Sequence, residues 1–113
     1  MSEYLILIYT DEARFPEPVG DEVDPSFLKF MSDNQHVLLG GAGLQRTGTA
    51  TTVRRDGDGS FAVTDGAFAE TKEALGGYFL IDVPDLDAAI SVARQIPQPW
   101  GGGVEVRPLR VRS

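Results

Sequence analysis

Hydrophobic residues follow two patterns along this chain: continuous runs that predict buried strands, and spaced residues that predict helices. The segment Glu3–Tyr9 (EYLILIY) is apolar at both alternating sets of positions, and Tyr78–Ile81 (YFLI) is an unbroken apolar run. Strands of this kind are typical of a sheet centre that is covered on both faces. The two segments therefore predict two central strands.

Two other segments repeat their apolar residues at helical spacing. Asp24-Pro25 predicts a helix start, with Asp as the N-cap and Pro at the first helical position. The apolar stripe of this helix is expected to be Phe27, Phe30 and Met31. Pro84-Asp85 predicts the start of a second helix, and Pro97 its end. The buried stripe expected for the second helix is Leu86, Ala89, Ile90, Ala93 and Ile96.

The remaining strands complete an α+β pattern. Asp56–Gly59 (DGDG) is a strong turn sequence between Thr49–Arg55 and Ser60–Thr64, which predicts a β-hairpin, and Val104–Val111 is the last strand. Two strand–helix–strand halves with a hairpin between them predict a ferredoxin-like sandwich with an extra β-hairpin, an antiparallel sheet with helices on one face. We expect residues 1–113 to form this single domain.

The two central strands also predict a partner. Two short helices can cover only one face of the sheet, whereas both strands are apolar on both faces. The second face needs another layer. The simplest such layer is a second copy of the same sheet in a twofold dimer. We therefore expect a homodimer.

Composition narrows the classes of function. The chain has 113 residues with 17 acidic and 10 basic side chains, a formal charge of −7, which argues against direct nucleic-acid binding. It has no cysteine, so disulfides, a thiol nucleophile and a Cys-based zinc site are excluded. No apolar run reaches the roughly 20 residues of a membrane span, and no signal peptide is visible. These features predict a cytoplasmic protein.

Several common sites are not predicted. The glycines Gly40, Gly41 and Gly43 do not join a strand to a helix as in nucleotide-binding loops, and they indicate a bend or bulge. The DGDG turn lacks the acidic residue that ends a calcium loop. His36, the one histidine, is either a general base or a helix-terminal residue that suits the helix dipole. We expect neither a metal nor a cofactor.

The stretch Thr64–Val83 contains the candidate site. Asp65-Gly66 is a turn dipeptide, Phe68 is an apolar anchor, and Gly76-Gly77 indicates a tight bend or a close backbone approach. A carboxylate near Lys72 can have a pKa suited to proton transfer, and the lysine can hold an anion or stabilise an enolate. The same charges equally suit a structural network or a solvated loop, where surface ion pairs contribute about 0–1 kcal/mol each.

This stretch resembles the signature of the YCII-related family, in the branch named for an Asp-Gly-Pro-Phe motif. The signature continues with Ala-Glu-Thr-Lys-Glu and Leu-Gly-Gly-Tyr, and this chain has DGAF at 65–68, AETKE at 69–73 and LGGY at 75–78. Ala67 replaces the motif's proline, so we expect a less pre-organised loop. The similarity extends to Tyr4–Tyr9, Gly40–Leu44, Thr49–Arg54, Asp85–Pro97 and Gly103–Leu109.

The resemblance implies a fold and two functions. The implied fold is a dimeric α/β barrel. Because related barrels include a muconolactone isomerase-like group, the first function is proton transfer or elimination on a small cyclic carbonyl compound, with Asp65 as catalytic base or acid and Lys72 as its electrostatic partner. The alternative is a non-enzymatic ligand-binding or regulatory module that accompanies an extracytoplasmic-function sigma factor. The binding residues expected around the site are Phe68, Glu70, Glu73 and Tyr78.

Overall fold

The structure is a computed structural model that describes residues 2–14, 24–69, 71–98 and 101–110. Two short 3-10 turns, Glu12–Arg14 and Thr47–Thr49, accompany the helices and strands. In chain order these are β1 (Ser2–Asp11), α1 (Pro25–Asn34), β2 (Leu38–Gly43), β3 (Thr51–Arg55), β4 (Phe61–Asp65), β5 (Glu73–Val83), α2 (Leu86–Ala93) and β6 (Gly103–Pro108).

The strands form two antiparallel sheets. The larger sheet has the order β2-β5-β1-β6, and the smaller one is the hairpin β3-β4. Without the hairpin, the chain runs β1, α1, β2, β5, α2, β6, which is the ferredoxin-like order of elements. The predicted α+β fold with an inserted hairpin is therefore confirmed. No helix in the described ranges is long and apolar enough to cross a bilayer.

The hydrophobic core lies between the large sheet and the two helices. Alternate residues of the two central strands enter it, and the rings of Phe30 on α1 and Phe79 on β5 lie 5.0 Å apart. The buried Asn34 side chain joins the two helical layers, because its amide donates to the Phe30 carbonyl at 2.9 Å and to Gln95 Oε1 at 3.0 Å. The buried hydrophobic residues are Tyr4, Ile6, Ile8, Phe30, Ala74, Phe79, Ile81, Val83, Ala89, Val92 and Ile96.

Both helices start at the predicted caps. The Asp24 carboxylate accepts a hydrogen bond from the Ser26 backbone at 2.8 Å, and that of Asp85 accepts from the Ala88 backbone at 2.9 Å. The hydrogen bond from the Ser26 hydroxyl, and then the one from its backbone, lower the pKa of Asp24. The stripe of α1 is confirmed, since Phe30 is buried and its neighbours Phe27 and Met31 pack against the core.

The stripe of α2 is only partly as predicted. Leu86 is 50% exposed, whereas Val92, which was not in the predicted stripe, is buried. The helix begins at Leu86 and ends at Ala93, so its inward positions run through Ala89 and Val92. Leu86, the first residue of the helix, lies at the solvent edge of the first turn. A buried stripe that is counted from such a residue is therefore rotated away from the side that is actually buried.

The two helices bury only one face of the sheet, as predicted, and the other face stays open in the single copy. Leu5, Leu7 and Leu80 are part-buried, and Tyr78 is 37% exposed. These side chains alternate with the core residues and share one surface. We call this surface the open face: Glu3, Leu5, Leu7, Tyr9, Asp11, Glu73, Leu75, Tyr78, Leu80, Asp82, Glu105 and Arg107.

The glycines lie inside strands rather than in a loop. Gly76 is the extra residue of a β-bulge, since Ile8 pairs with Gly77 and Tyr9 with Leu75. A Cβ on Gly77 would approach the Ala42 carbonyl oxygen to 3.0 Å, so the close backbone approach is correct and the tight bend is wrong. The first glycine cluster lies in β2, whose register shifts between Leu38 and Gly40, as expected of a bulge.

Candidate active site

The Asp65-Gly66 turn is fixed at the base of the hairpin. Gly66 has φ +103°, a left-handed conformation that favours glycine. Its N–H donates to the Ala50 carbonyl at 2.7 Å, and its carbonyl accepts from the Thr52 hydroxyl at 2.7 Å. Asp65 is the last residue of β4 and its side chain is exposed. The predicted catalytic carboxylate therefore stands on an anchored turn.

Phe68 does not anchor this loop in the core, contrary to the prediction. Its side chain is 68% exposed, and the guanidinium of Arg54 lies 4.3 Å from the centre of its ring. An arginine over an exposed ring contributes about 0.5–1 kcal/mol. Phe68 thus contacts the Arg54 side of β3, away from the hydrophobic core.

The charged residues that follow are spread along the chain. Lys72 and Glu73 are exposed, and Glu73 is the first residue of β5 rather than part of the loop. The Glu73 carbonyl accepts from the Thr71 hydroxyl at 2.6 Å, which ties the loop to the strand. Among the described residues, no ion pair joins Asp65, Lys72 and Glu73. Glu70 lies outside the described residues.

A cleft of about 440 Å³ opens beside this loop. Its other wall is the 3-10 turn Thr47–Thr49. Within the part of the chain that the structure describes, two threonines and small residues line it, and none of these described lining residues is charged. The lining residues are Thr47, Gly48, Gly66, Ala67, Ala69 and Thr71.

The far wall of the cleft is held by a contact that sequence reasoning missed. The Glu12 carboxylate accepts from the Thr47 N–H at 2.8 Å and from the Thr47 hydroxyl, and Arg46 Nη2 donates to the Glu12 carbonyl at 2.8 Å. Glu12 follows β1 directly, so the end of the central strand positions the turn. Both hydroxyls of the cleft donate to protein oxygens, which leaves their lone pairs as acceptors toward a ligand.

Tyr78, the remaining predicted binding residue, lies on the open face, opposite Leu7. The same face carries a second polar group, in which the Tyr9 hydroxyl donates to Glu105 Oε1 at 3.2 Å. Burial, and then the hydrogen bond to Glu105, raise the pKa of Tyr9. The predicted binding residues are thus divided between the cleft loop and the sheet.

His36 and the acidic residues of the described ranges do not form a second candidate site. His36 is exposed in the turn between α1 and β2. Within the ranges that the structure describes, no three His, Cys, Asp or Glu side chains approach closely enough to hold a metal ion.

Comparison with known proteins now places the chain. The YCII-related domain matches residues 2–112. The chain belongs to the YCII-related family. An uncharacterized protein of Rhizobium meliloti (strain 1021) is 38% identical over 114 residues, covering 94% of this chain and 90% of that protein. The domain therefore accounts for almost the whole sequence.

In this YCII-related chain, the resembled signature and the cleft meet at one segment. Gly66, Ala67 and Ala69 belong to the DGAF–AETKE stretch and line the cleft. Ala67, which stands where the resembled motif has proline, contributes only a methyl group to the wall. Hydrogen bonds to Ala50 and Thr52 hold the neighbouring Gly66 from both sides.

Proposed function

We propose that this YCII-related protein is a homodimer that binds a small cyclic carbonyl compound in the cleft and transfers a proton on it. The observation that carries the proposal is the cleft of about 440 Å³ walled by the signature loop. Its volume falls in the range of about 300–1,000 Å³ that is typical of small-molecule sites. Asp65 directly precedes one lining residue and Lys72 directly follows another.

The lining suits a compact, mostly neutral ligand. Small side chains let a ring approach the backbone, and the two threonine oxygens accept hydrogen bonds from a hydroxyl or enol group. Asp65 and Lys72 flank lining residues in the sequence, and in this proposal they act on the reacting atoms of the ligand. Asp65 takes a proton from the carbon next to the carbonyl and returns it to another carbon, while Lys72 stabilises the enolate oxygen formed in between.

The open face supports the homodimer. It is a continuous surface of leucine and tyrosine on the two central strands, which are the least suited of the four to face water. A second copy covers this face with an identical one, as in the twofold arrangement that the resemblance implies. We expect light scattering at micromolar concentration to give the mass of two chains, and a monomer would refute this part of the proposal.

Binding is tested by thermal shift with small lactones, enols and carboxylates. We expect a ligand at a hundred times its Kd to stabilise the wild type by about 2.7 kcal/mol. Gly48→Leu should abolish this stabilisation, because the leucine side chain fills the cleft. The variant can fold, since a Cβ at Gly48 meets nothing within 4 Å. Gly57→Leu, on the hairpin turn and equally open, is the matched control. Equal binding by both variants would place the ligand elsewhere.

Catalysis is tested separately by deuterium exchange. A ligand found in the first assay is incubated in D₂O, and NMR follows loss of the proton next to its carbonyl. We expect the wild type to exchange this proton, Asp65→Asn to lose exchange while still binding, and Lys72→Met to weaken both. Binding without exchange by the wild type would overturn the enzymatic part and leave a ligand-binding module.

A second candidate is the regulatory module with a sigma-factor partner. The observation that favours it is the apolar outer side of the hairpin, where Val53, Phe61 and Val63 are 59%, 58% and 64% exposed. Exposed apolar groups of this kind mark interaction surfaces. If the wild type binds no compound in the first assay, a pull-down with the sigma factor encoded nearest to this protein, compared with the Val63→Thr variant, is the next test.

A further inference from the structure

The charges of the open face are unequal. Five carboxylates share this face by strand register, those of Glu3, Asp11, Glu73, Asp82 and Glu105, whereas Arg107 is the only basic residue in the four strands of the sheet. Two copies that face each other bring ten such carboxylates toward one interface. Like charges that oppose each other across an interface are destabilising, so the position of the two arginines decides whether this face can pair with itself.

Among the described residues, none donates a hydrogen bond to Oδ1 of Asp82. Its Oδ1 is buried without a partner, while the residue as a whole is part-buried, so its carboxylate reaches the surface through the other oxygen. The residue paired with it on β1 is Glu3, a second acid. A desolvated carboxylate without a donor is costly, and a cation at its exposed oxygen reduces that cost. The missing donor has to approach from above the open face.

Arg107 has donors to spare. Its side chain is 65% exposed, and in the described part of the chain its one contact is to Glu105 Oε2 at a long 3.4 Å. Glu105 also accepts the Tyr9 hydroxyl, so it is not held by the arginine alone. An exposed pair of this kind contributes little, and most of the guanidinium stays available.

The sheet order places the two groups symmetrically about β1. Asp82 pairs with Glu3 from the β5 side, and Arg107 pairs with Leu5 from the β6 side. They are two strands apart, about 10 Å across the sheet, too far to meet within one copy. A twofold axis that runs over β1, in the plane between two facing sheets, exchanges the β5 side of one copy with the β6 side of the other.

We propose that Arg107 pairs with Asp82 of the partner subunit, so that two reciprocal ion pairs fix the register of the dimer. This inference rests on the homodimer of the proposed function. The axis over β1 brings Leu5 of both copies close to the dimer centre, with one ion pair on either side. The pairs match the one basic residue of the four strands to the carboxylate whose Oδ1 has no donor among the described residues.

Mixing two variants tests the pairing between copies. We expect Asp82→Arg alone and Arg107→Asp alone to be monomeric by light scattering at a concentration where the wild type is dimeric. Mixed in equal amounts, they should form a heterodimer, because both cross-pairs are then opposite in charge. The doubly substituted chain should dimerise with itself. A pair within one copy would not be restored by mixing.

Milder variants keep the test valid if Asp82→Arg fails to fold, which circular dichroism would show. Asp82→Asn and Arg107→Gln should each weaken the dimer about tenfold or more, and the double variant hardly more than either alone. Arg94→Asp, exposed at the end of α2, is the control that should leave the dimer intact.

The outcomes separate the two proposals. A monomeric wild type overturns the homodimer and the ion pair together. A dimeric wild type whose variants stay dimeric, or whose mixture stays monomeric, overturns the ion pair alone. Rescue of Arg107→Asp by Glu3→Arg instead of Asp82→Arg would also overturn it, since Glu3 would then be the partner.

Discussion

The two faces of the large sheet are built from the same strands and differ in how they are completed. Ile6, Phe79 and Ile81 point to the helices and are buried within the chain, whereas Leu5 and Leu80, one position away, are part-buried on the open face. The hydrophobicity of a strand therefore does not tell whether its own chain covers it. The helix-covered face stabilises the single chain, and the open face is the one that associates in the proposed homodimer.

Replacing neighbouring residues on β5 should show this difference most strongly. Ile81→Ala leaves a cavity under the helices, and we expect it to lower the free energy of unfolding by about 2–5 kcal/mol at every protein concentration. Leu80→Ala should cost less in dilute solution, and its cost should increase with concentration as the dimer forms. Urea unfolding at two concentrations, low and high, measures both. A cost of Leu80→Ala that is independent of concentration would contradict an open face that associates.

Neighbouring glycines of β2 offer a second contrast between the faces. A Cβ on Gly41 would lie 2.5 Å from Phe79 Cδ1 and 2.7 Å from the Tyr78 carbonyl oxygen, whereas a Cβ on Gly40 meets nothing within 4 Å. We expect Gly41→Ala to lose about 1–3 kcal/mol through overpacking. Gly40→Ala should be neutral or stabilise by up to about 1 kcal/mol, because alanine restricts the unfolded chain.

Thermal unfolding of Gly41→Ala and Gly40→Ala measures this difference in stability. If Gly41→Ala is tolerated as well as Gly40→Ala, then β2 can move away from the core. The edge strand would in that case be less firmly held than its pairing with β5 suggests.

The sequence predicts those parts of the fold that depend on local spacing. Asp24 and Asp85 cap helices whose partners lie two and three residues away, and the turn at Asp56–Gly59 closes a hairpin between adjacent segments. The buried side of α2 was less predictable. Leu86 and Val92 are both hydrophobic, and they differ in that Leu86 faces solvent and Val92 faces the core. The open face was predictable, since two short helices cover only one side of the sheet, whereas the layer that would cover it stays a prediction.

The cleft lies beside the loop that the sequence pointed to, whereas its other wall was not predictable. The signature loop pointed to residues 65–73, and Gly66 and Ala67 do line the cleft. Glu12 and Thr47, which shape the other wall, are 35 residues apart, and Tyr9 and Glu105 are 96 apart. Pairs at such separations depend on strand order, which local patterns do not determine. The roles of Asp65 and Lys72 stay predictions until binding and exchange are measured.

The smallest expected effect concerns Tyr9 on the open face and appears at high pH. Burial and the hydrogen bond to Glu105 raise the pKa of Tyr9 above its ordinary value of 10.0. The folded chain therefore keeps this proton at a pH where the unfolded chain has lost it, so stability is fully present below about pH 10 and falls as the pH rises through the folded pKa.

Tyr9→Phe removes both the proton and the hydrogen bond. We expect it to cost about 0.5–1.5 kcal/mol at pH 7 and to make the loss of stability above pH 10 shallower than in the wild type. Tyr78→Phe, on the same face without such a bond among the described contacts, is the matched control and should keep the wild-type slope. If stability falls equally steeply above pH 10 in both variants, the Tyr9–Glu105 hydrogen bond does not persist in solution. The polar end of the open face would then be as loosely held as its apolar centre.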